Sequence, residues 1–210
     1  MLAEHLYNLL YIGINPNYVP MYISDYPTIT NTSCIIIWYN PTIDKYYYLL
    51  QKRGLKMKTG AGKLAIGGGN LESSDTTLQM AACREIMEES QVLFNSTIQN
   101  TMTFATLDRV SKNLFYLSQD ATNVTFFLIL VSKKMPIWKG PINRNIEMFK
   151  KSSNEIDQKD YNWGDNKLIG RINFGHCFLT KKEIKQLNNQ LWHYSYNVLL
   201  ELFVFLDSKT

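Results

Sequence analysis

Three consecutive glycines, Gly67, Gly68 and Gly69, close a short apolar run. After a loop they are followed by Arg84-Glu85-Ile86-Met87-Glu88-Glu89. No other stretch constrains the chain as tightly. On a helix turning about 100° per residue, Glu85 and Glu89 fall about 40° apart, with Glu88 about 60° to one side. Met80, Cys83 and Met87 lie opposite and form the expected core stripe. Like charges at i, i+4 are destabilising, and these acids crowd a last turn where the helix dipole favours cations. Arg84, four residues before Glu88, offsets part of that repulsion. Acids on an ordinary helix form a solvated face. Here a glycine turn precedes the helix at a distance that lets its backbone face the same carboxylates. Oxygen-only ligands of this kind suit a hard cation, Mg²⁺ or Mn²⁺, kept partly hydrated and completed by substrate phosphates.

The spacing Gly69-x5-Asp75-x8-Arg84-Glu85-Ile86-x-Glu88-Glu89-x-Gln91-Val92 resembles the Nudix box, G-x5-E-x7-R-E-U-x-E-E-x-G-U with U aliphatic. Three departures stand out. Asp75 replaces the first glutamate, the next spacer is one residue longer, and Gln91 replaces the glycine that ends the helix. A left-handed Gln91 would cost about 1 kcal/mol. None of the three removes a metal-binding carboxylate. The resemblance implies an α/β fold, the Nudix-fold α/β/α sandwich with a mixed β-sheet, and the order of elements fits it.

The 210 residues, 45% of them hydrophobic, can bury one good core. The expected organisation is an N-terminal extension, residues 1–30, packed on a single domain, residues 31–210, with a long insertion at about 133–167. A net charge of +4 favours polyanionic ligands but falls short of a nucleic-acid-binding signature. The three cysteines, Cys34, Cys83 and Cys177, are widely spaced in apolar contexts and read as reduced core thiols. No apolar run reaches the ~18 residues of a membrane helix, and the first residues lack the basic region of a signal peptide. The expected setting is the cytoplasm, with the nucleus left open and no membrane partner.

Along the chain, residues 1–30 show little periodicity beyond a short helix expected at Glu4–Tyr11. They fit a capping strand, a homodimer interface or a substrate flap. Ser33–Tyr39 and Lys45–Lys52 read as a hairpin around Asn40–Asp44. Gly54–Lys63 reads as a flexible basic loop, and Leu64–Ile66 as a short strand. Thr101–Val110, Leu114–Leu117 and Val124–Val131 read as a meander, followed by a loop at Lys133–Asn166 and a strand within Lys167–Phe178. Thr180-Lys-Lys-Glu183 is a capping box, with a helical pattern behind it to about Leu206.

The resemblance implies hydrolysis of a nucleoside diphosphate linked to another moiety, with water attacking phosphorus. Matched to the box, Glu85 and Glu89 are the principal metal ligands, Glu88 bridges or holds water, and the carbonyl of Gly68 is a further ligand. Arg84 orients the glutamates, while Glu72 and Asp75 reach metal-bound water. Several Nudix families draw a general base from a late loop, and Glu155 is the first candidate, ahead of Asp157 and Asp165. His5, His176 and His193 have no metal-ligand spacing.

For substrate, Gln51-Lys-Arg-Gly54 with Gly60-Ala-Gly-Lys63 resembles the segment flanking the nucleotide site of oxidised-purine triphosphatases. The same stretch loosely fits the coenzyme A pyrophosphatase pattern. The proline of ADP-ribose hydrolases has no counterpart at positions 106–110. Arg53, Lys56, Lys58 and Lys63 are the candidate substrate-binding cations, for a triphosphate or for an RNA 5′ end. Basic and aromatic residues interleaved in 133–167, Trp138 and Trp163 among them, would suit stacking a cap beside a phosphate track. Two enzyme readings stay open, a small-nucleotide pyrophosphohydrolase and an mRNA-decapping hydrolase acting on capped RNA. A third is a Nudix-fold module that binds nucleotides without cutting them.

Overall fold

The computed structural model describes residues 18–53, 58–90, 108, 110–133, 142–143 and 176–208. At its centre is β1, Asn31–Asn40, buried along almost its whole length. Cys34 to Tyr39 is an unbroken run of apolar residues, the composition of a strand covered on both faces. The chain turns through Asn40–Asp44 into β2, Lys45–Lys52, which pairs antiparallel with β1. Asp44 takes a positive φ of 47° in that turn, and the Asn40 side chain accepts from the Thr42 amide at 3.0 Å.

Of the next two strands, the first was expected at Leu64–Ile66 and the second departs from the sequence expectation. Leu64–Ala65, β3, pairs with β2; Gly67–Asn70, β4, then crosses to pair antiparallel with the first half of β1. The glycines are therefore a strand of the sheet rather than a turn. They fill the edge that β1 leaves open where β2 diverges from it. Helix α1 follows at Leu78–Ser90. Strands β5, Phe115–Gln119, and β6, Asn123–Val131, form an antiparallel pair, and β6 lies parallel to β1 along its length. Within the expected 133–167 loop, Ile142–Asn143 forms β7, which pairs parallel with β8, His176–Leu179. Among the described residues the sheet has eight strands in the order β5-β6-β1-β2-β8-β7, with β3 beside β2 and β4 beside β1.

Side chains of β1 alternate between two cores, as the pleat requires. Cys34, Ile36 and Trp38 pack with Leu78, Ala82, Cys83 and Ile86 of α1. Ile35, Ile37 and Tyr39 face the C-terminal helices and pack with Val198, Leu199 and Leu202. The result is a mixed sheet between helical layers, the α/β/α sandwich expected.

One helical expectation and one strand expectation need correction. The pattern behind Thr180 is not one helix. It divides into α2, Lys181–Gln186, a 3-10 turn at Asn188–Gln190, and α3, His193–Asp207. The break occurs because Leu191 makes a parallel bridge to Leu64 and the Trp192 amide donates to the Leu64 carbonyl at 2.8 Å. The capping box at Thr180 and Glu183 is present as read. In the expected strand Thr101–Val110, the described residues 108 and 110 are helical.

The expected helix at Glu4–Tyr11, Gln91 and the final strand's residues 167–175 lie outside the described residues. No helix among the described residues is long and apolar enough to cross a membrane.

Candidate active site

Helix α1 begins where the Thr77 hydroxyl accepts from the Met80 amide at 3.2 Å, leaving Leu78 to open the helix. Its start is also tied to residues 18–23. The Leu78 amide donates to the Met21 carbonyl, and the Ile23 amide donates to the Thr76 carbonyl. Buried Gln79 clasps the same segment. Its Nε2 donates to the Val19 carbonyl at 2.7 Å, and its Oε1 accepts from the Met21 amide at 3.0 Å. Between Leu78 and Ile86 the helix is buried nearly all round, not along one stripe. Met80 and Cys83 are in the core as expected, and Arg84 is enclosed with them.

Arg84 organises the loop before the helix. Its Nε donates to Asp75 Oδ1 at 3.1 Å and its Nη2 to Asp75 Oδ2 at 2.9 Å, the bidentate geometry that makes arginine–carboxylate pairs strong. Nη2 also donates to the Asn70 carbonyl, Nη1 donates to Glu85 Oε1 at 2.9 Å, and Glu72 lies 3.5 Å from Nη1. Burial alone would disfavour the guanidinium charge. The hydrogen bonds and negative charges of Asp75 and Glu85 outweigh it and raise the pKa. Asp75 is 3% exposed with both oxygens on Arg84, so it anchors the arginine instead of reaching toward water. Its Oδ2 also accepts from the Glu72 amide at 2.8 Å, which fixes the loop.

Glu85 sits over β4. A Cβ added to Gly69 would lie 2.5 Å from Glu85 Cδ and Oε1, so the carboxylate fills the space of the missing side chain. On the other face, a Cβ on Gly68 would press on the Thr32 carbonyl and lie 2.7 Å from Ser33 Cα. Gly68 also has φ +150°, which L-residues rarely adopt. The glycine strand thus brings backbone and carboxylate together, the juxtaposition the sequence suggested, though by pairing in the sheet and not by turning. Glu88 and Glu89 lie on α1, but their side chains are outside the described residues. Among the described residues no group of three or more His, Cys, Asp or Glu side chains is arranged to hold a metal ion. Glu85 nonetheless offers carboxylate oxygens directly over the glycine strand at Gly69. The seat at Gly69 leaves a carboxylate held by a charged partner, which fits a hard cation.

The basic residues are placed less directly. Arg53 lies over the Trp192 ring, 4.3 Å from its centroid, and its Nε donates to the Thr59 carbonyl at 3.0 Å. Gly60, at φ +61°, lets that ring approach; a Cβ there would be 2.7 Å from Trp192 Cγ. Lys63 Nζ donates to the Asn189 carbonyl at 2.9 Å, and Lys58 is exposed. The described end of the basic loop carries backbone bonds from Gly62 to Arg53 and from Lys63 to Gly60. Lys56, Glu155, Asp157 and Asp165 lie outside the described residues, as does most of 133–167. His193 is an exposed first residue of α3.

Sequence reasoning missed three features. Asp75 as the partner of Arg84 is visible only once the loop closes. Trp192 gives no signal before the helix break is known. The third is a polar cluster on the α3 side of Gly68. Ser33 Oγ donates to Asn123 Oδ1 at 3.1 Å, Asn123 Nδ2 donates to Thr125 Oγ1 and to the Tyr194 hydroxyl, and that hydroxyl lies 2.9 Å from Thr125 Oγ1. The polar run Asn31-Thr32-Ser33, opening an otherwise apolar strand, was its one visible trace.

The elements of the box thus meet in space: the glycine strand, the loop locked by Asp75, and the helix whose Glu85 rests on Gly69. They do so on a mixed sheet covered by helices on both faces. The chain folds as the α/β/α sandwich with a mixed sheet that its box resemblance implies. Solved structures of Nudix domains are similar to it. The Nudix domain of Shewanella oneidensis NrtR, in complex with ADP ribose, is 12% identical, with a TM-score of 0.48 over 90% of this chain and 94% of that one. RenU, a Nudix hydrolase of M. smegmatis, is 12% identical, with a TM-score of 0.45 over 85% and 88%. A mutT/nudix family protein of Listeria innocua is 14% identical, with a TM-score of 0.46 over 86% and 93%. No protein-family model and no curated protein matches the chain.

Proposed function

We propose that this protein is a Nudix-fold hydrolase of phosphoric anhydride bonds. It cleaves the diphosphate linkage of a nucleoside diphosphate derivative, a nucleoside triphosphate or related small nucleotide, with Mg²⁺ or Mn²⁺ as cofactor. The observation that carries this reading is the Glu85 carboxylate, seated on Gly69 and held 2.9 Å from the buried Arg84 guanidinium. A carboxylate that is 13% exposed and fixed from one side is ready to bind a cation without first being ordered.

Glu85, Glu88, Glu89 and the Gly68 carbonyl would hold the cation. When bound, it supplies charge neutralisation at the phosphates and Lewis acidity at phosphorus. The chain's own part is positional. Arg84, tied to Asp75 and Asn70, sets the rotamer of Glu85 and keeps its charge compensated while no cation is bound. Arg53, Lys58 and Lys63 border the β2–β3 connection, and Lys56 lies between them in sequence; this basic border favours a polyphosphate over a neutral ligand. Glu155 is the proposed general base.

The test is a Mg²⁺-dependent hydrolysis panel resolved by product. It comprises normal and oxidised nucleoside triphosphates, ADP-ribose, coenzyme A, diadenosine polyphosphates and cap-labelled RNA. The expected result is monophosphate release from a triphosphate, lost by roughly two or more orders of magnitude in Glu85→Gln with the fold unchanged. Release of a methylated nucleoside diphosphate from capped RNA would move the substrate to RNA. Nucleotide binding without turnover on any substrate would replace catalysis with a binding role.

A further inference from the structure

Thr32 is fully buried, and its Oγ1 is the one buried side-chain polar atom without a hydrogen-bond partner among the described residues. Its position says which group it addresses. Thr32 stands opposite Gly69 in the β1–β4 ladder and opposite Val124 in the β1–β6 ladder. Residues opposite one another in an antiparallel pair project to the same face, with Cβ atoms about 5 Å apart. Val124 offers the hydroxyl nothing polar. Gly69 has no side chain, and the space its Cβ would take is filled by the carboxylate of Glu85. The cross-strand neighbour of the Thr32 hydroxyl is therefore a carboxylate delivered from α1. The alternation along β1 agrees, since Cys34 and Ile36, two and four residues on, both pack against that helix.

A buried hydroxyl without a partner is a cost to the fold that apolar replacement would remove. It is useful only if some state of the protein supplies the partner. We propose that Thr32 is a positioning residue for Glu85: its hydroxyl donates to the Glu85 carboxylate when that carboxylate takes up a divalent cation. Arg84 then fixes the carboxylate from the helix side and Thr32 fixes it from the sheet side. The inference rests on Glu85 being a metal ligand, as proposed above. Outer hydrogen bonds of this kind set the orientation and basicity of a liganding group.

The experiment compares the full-length wild type with Thr32→Val, which keeps the shape and removes the hydroxyl, and with Thr32→Ser, which keeps the hydroxyl. Mn²⁺ affinity is read by paramagnetic resonance of the free ion, and the melting temperature is read without metal. The expected result for Thr32→Val is an unchanged or higher metal-free melting temperature with Mn²⁺ affinity weakened about tenfold. Thr32→Ser is expected to bind as the wild type does. Equal Mn²⁺ affinity in wild type and Thr32→Val would overturn this inference alone. A lower metal-free melting temperature in Thr32→Val would assign the residue to packing and overturn it as well. Absence of Mn²⁺ binding by the wild type would overturn the reading of Glu85 and this inference with it.

Discussion

Glu85 occupies the volume that a side chain on Gly69 would need: Cδ and Oε1 lie 2.5 Å from where the Cβ would be. The crowded atoms are the far end of a flexible side chain, so the strand itself can accept a methyl group while the carboxylate cannot stay. Gly69→Ala is expected to keep its melting temperature within a few degrees and to lose Mg²⁺-dependent turnover about a hundredfold, the cost of a displacement near 1 Å. Steady-state kinetics beside a thermal melt decide the matter. Full activity in this variant would mean that the seat is incidental.

Asp75 and Arg84 are both buried and joined through two hydrogen bonds. Removing one member of a buried pair leaves an uncompensated charge, which typically costs about 3–5 kcal/mol. Asp75→Ala should therefore destabilise the protein by about 3 kcal/mol in urea denaturation. Turnover should fall as well, because Arg84 is then free to leave Glu85. A loss below about 1 kcal/mol would place the pair among exposed bridges of little weight.

Gln79 holds Val19 and Met21 by two hydrogen bonds from one amide. In Gln79→Ala both backbone groups lose that partner, at about 1–2 kcal/mol. Limited proteolysis of the full chain should then cut within residues 18–23 faster than in the wild type, with the rest of the domain protected. Equal cutting rates would mean that the Leu78–Met21 and Ile23–Thr76 bonds hold the segment without the glutamine.

Burial raises the thiol pKa of Cys83 to about 12, and burial together with the Asp44 hydrogen bond raises the Tyr39 phenol to about 12. Both groups are neutral when protonated, so the folded state holds these protons more tightly than the unfolded chain. Their stabilisation is complete below the unfolded values, near 9 for the thiol and 10 for the phenol. It is lost as pH rises toward about 12. The urea midpoint should fall steadily from about pH 9 upward, and Cys83 should resist alkylation in the folded protein at pH 8. A flat midpoint across that range would contradict the burial that raises these groups.

Much of the sheet was legible because its signals are local. Ile35, Ile36 and Ile37 announce a strand covered on both faces, and Asn40–Asp44 announces the turn beside it. The box residues were legible by spacing, since Arg84 and Glu85 share a helix and Gly69 precedes it at a fixed interval. What the sequence hid depends on contacts between distant segments. The glycines read as a turn because nothing local says that β1 has an open edge beside β2. The last helix read as continuous because the bridge from Leu191 to Leu64 is a tertiary event that overrides helical periodicity. Asp75 read as a metal-side acid because its pairing with Arg84 exists only after the loop folds.

Gly68 and Gly69 are closed to side chains for unrelated reasons: one abuts backbone and the other abuts a carboxylate. A variant library over these two neighbouring codons would separate under two selections. Screening for soluble expression would register position 68 and pass over most changes at 69. Screening for turnover would register both. Adjacent residues of one short strand thus answer to different pressures, folding at one and chemistry at the next.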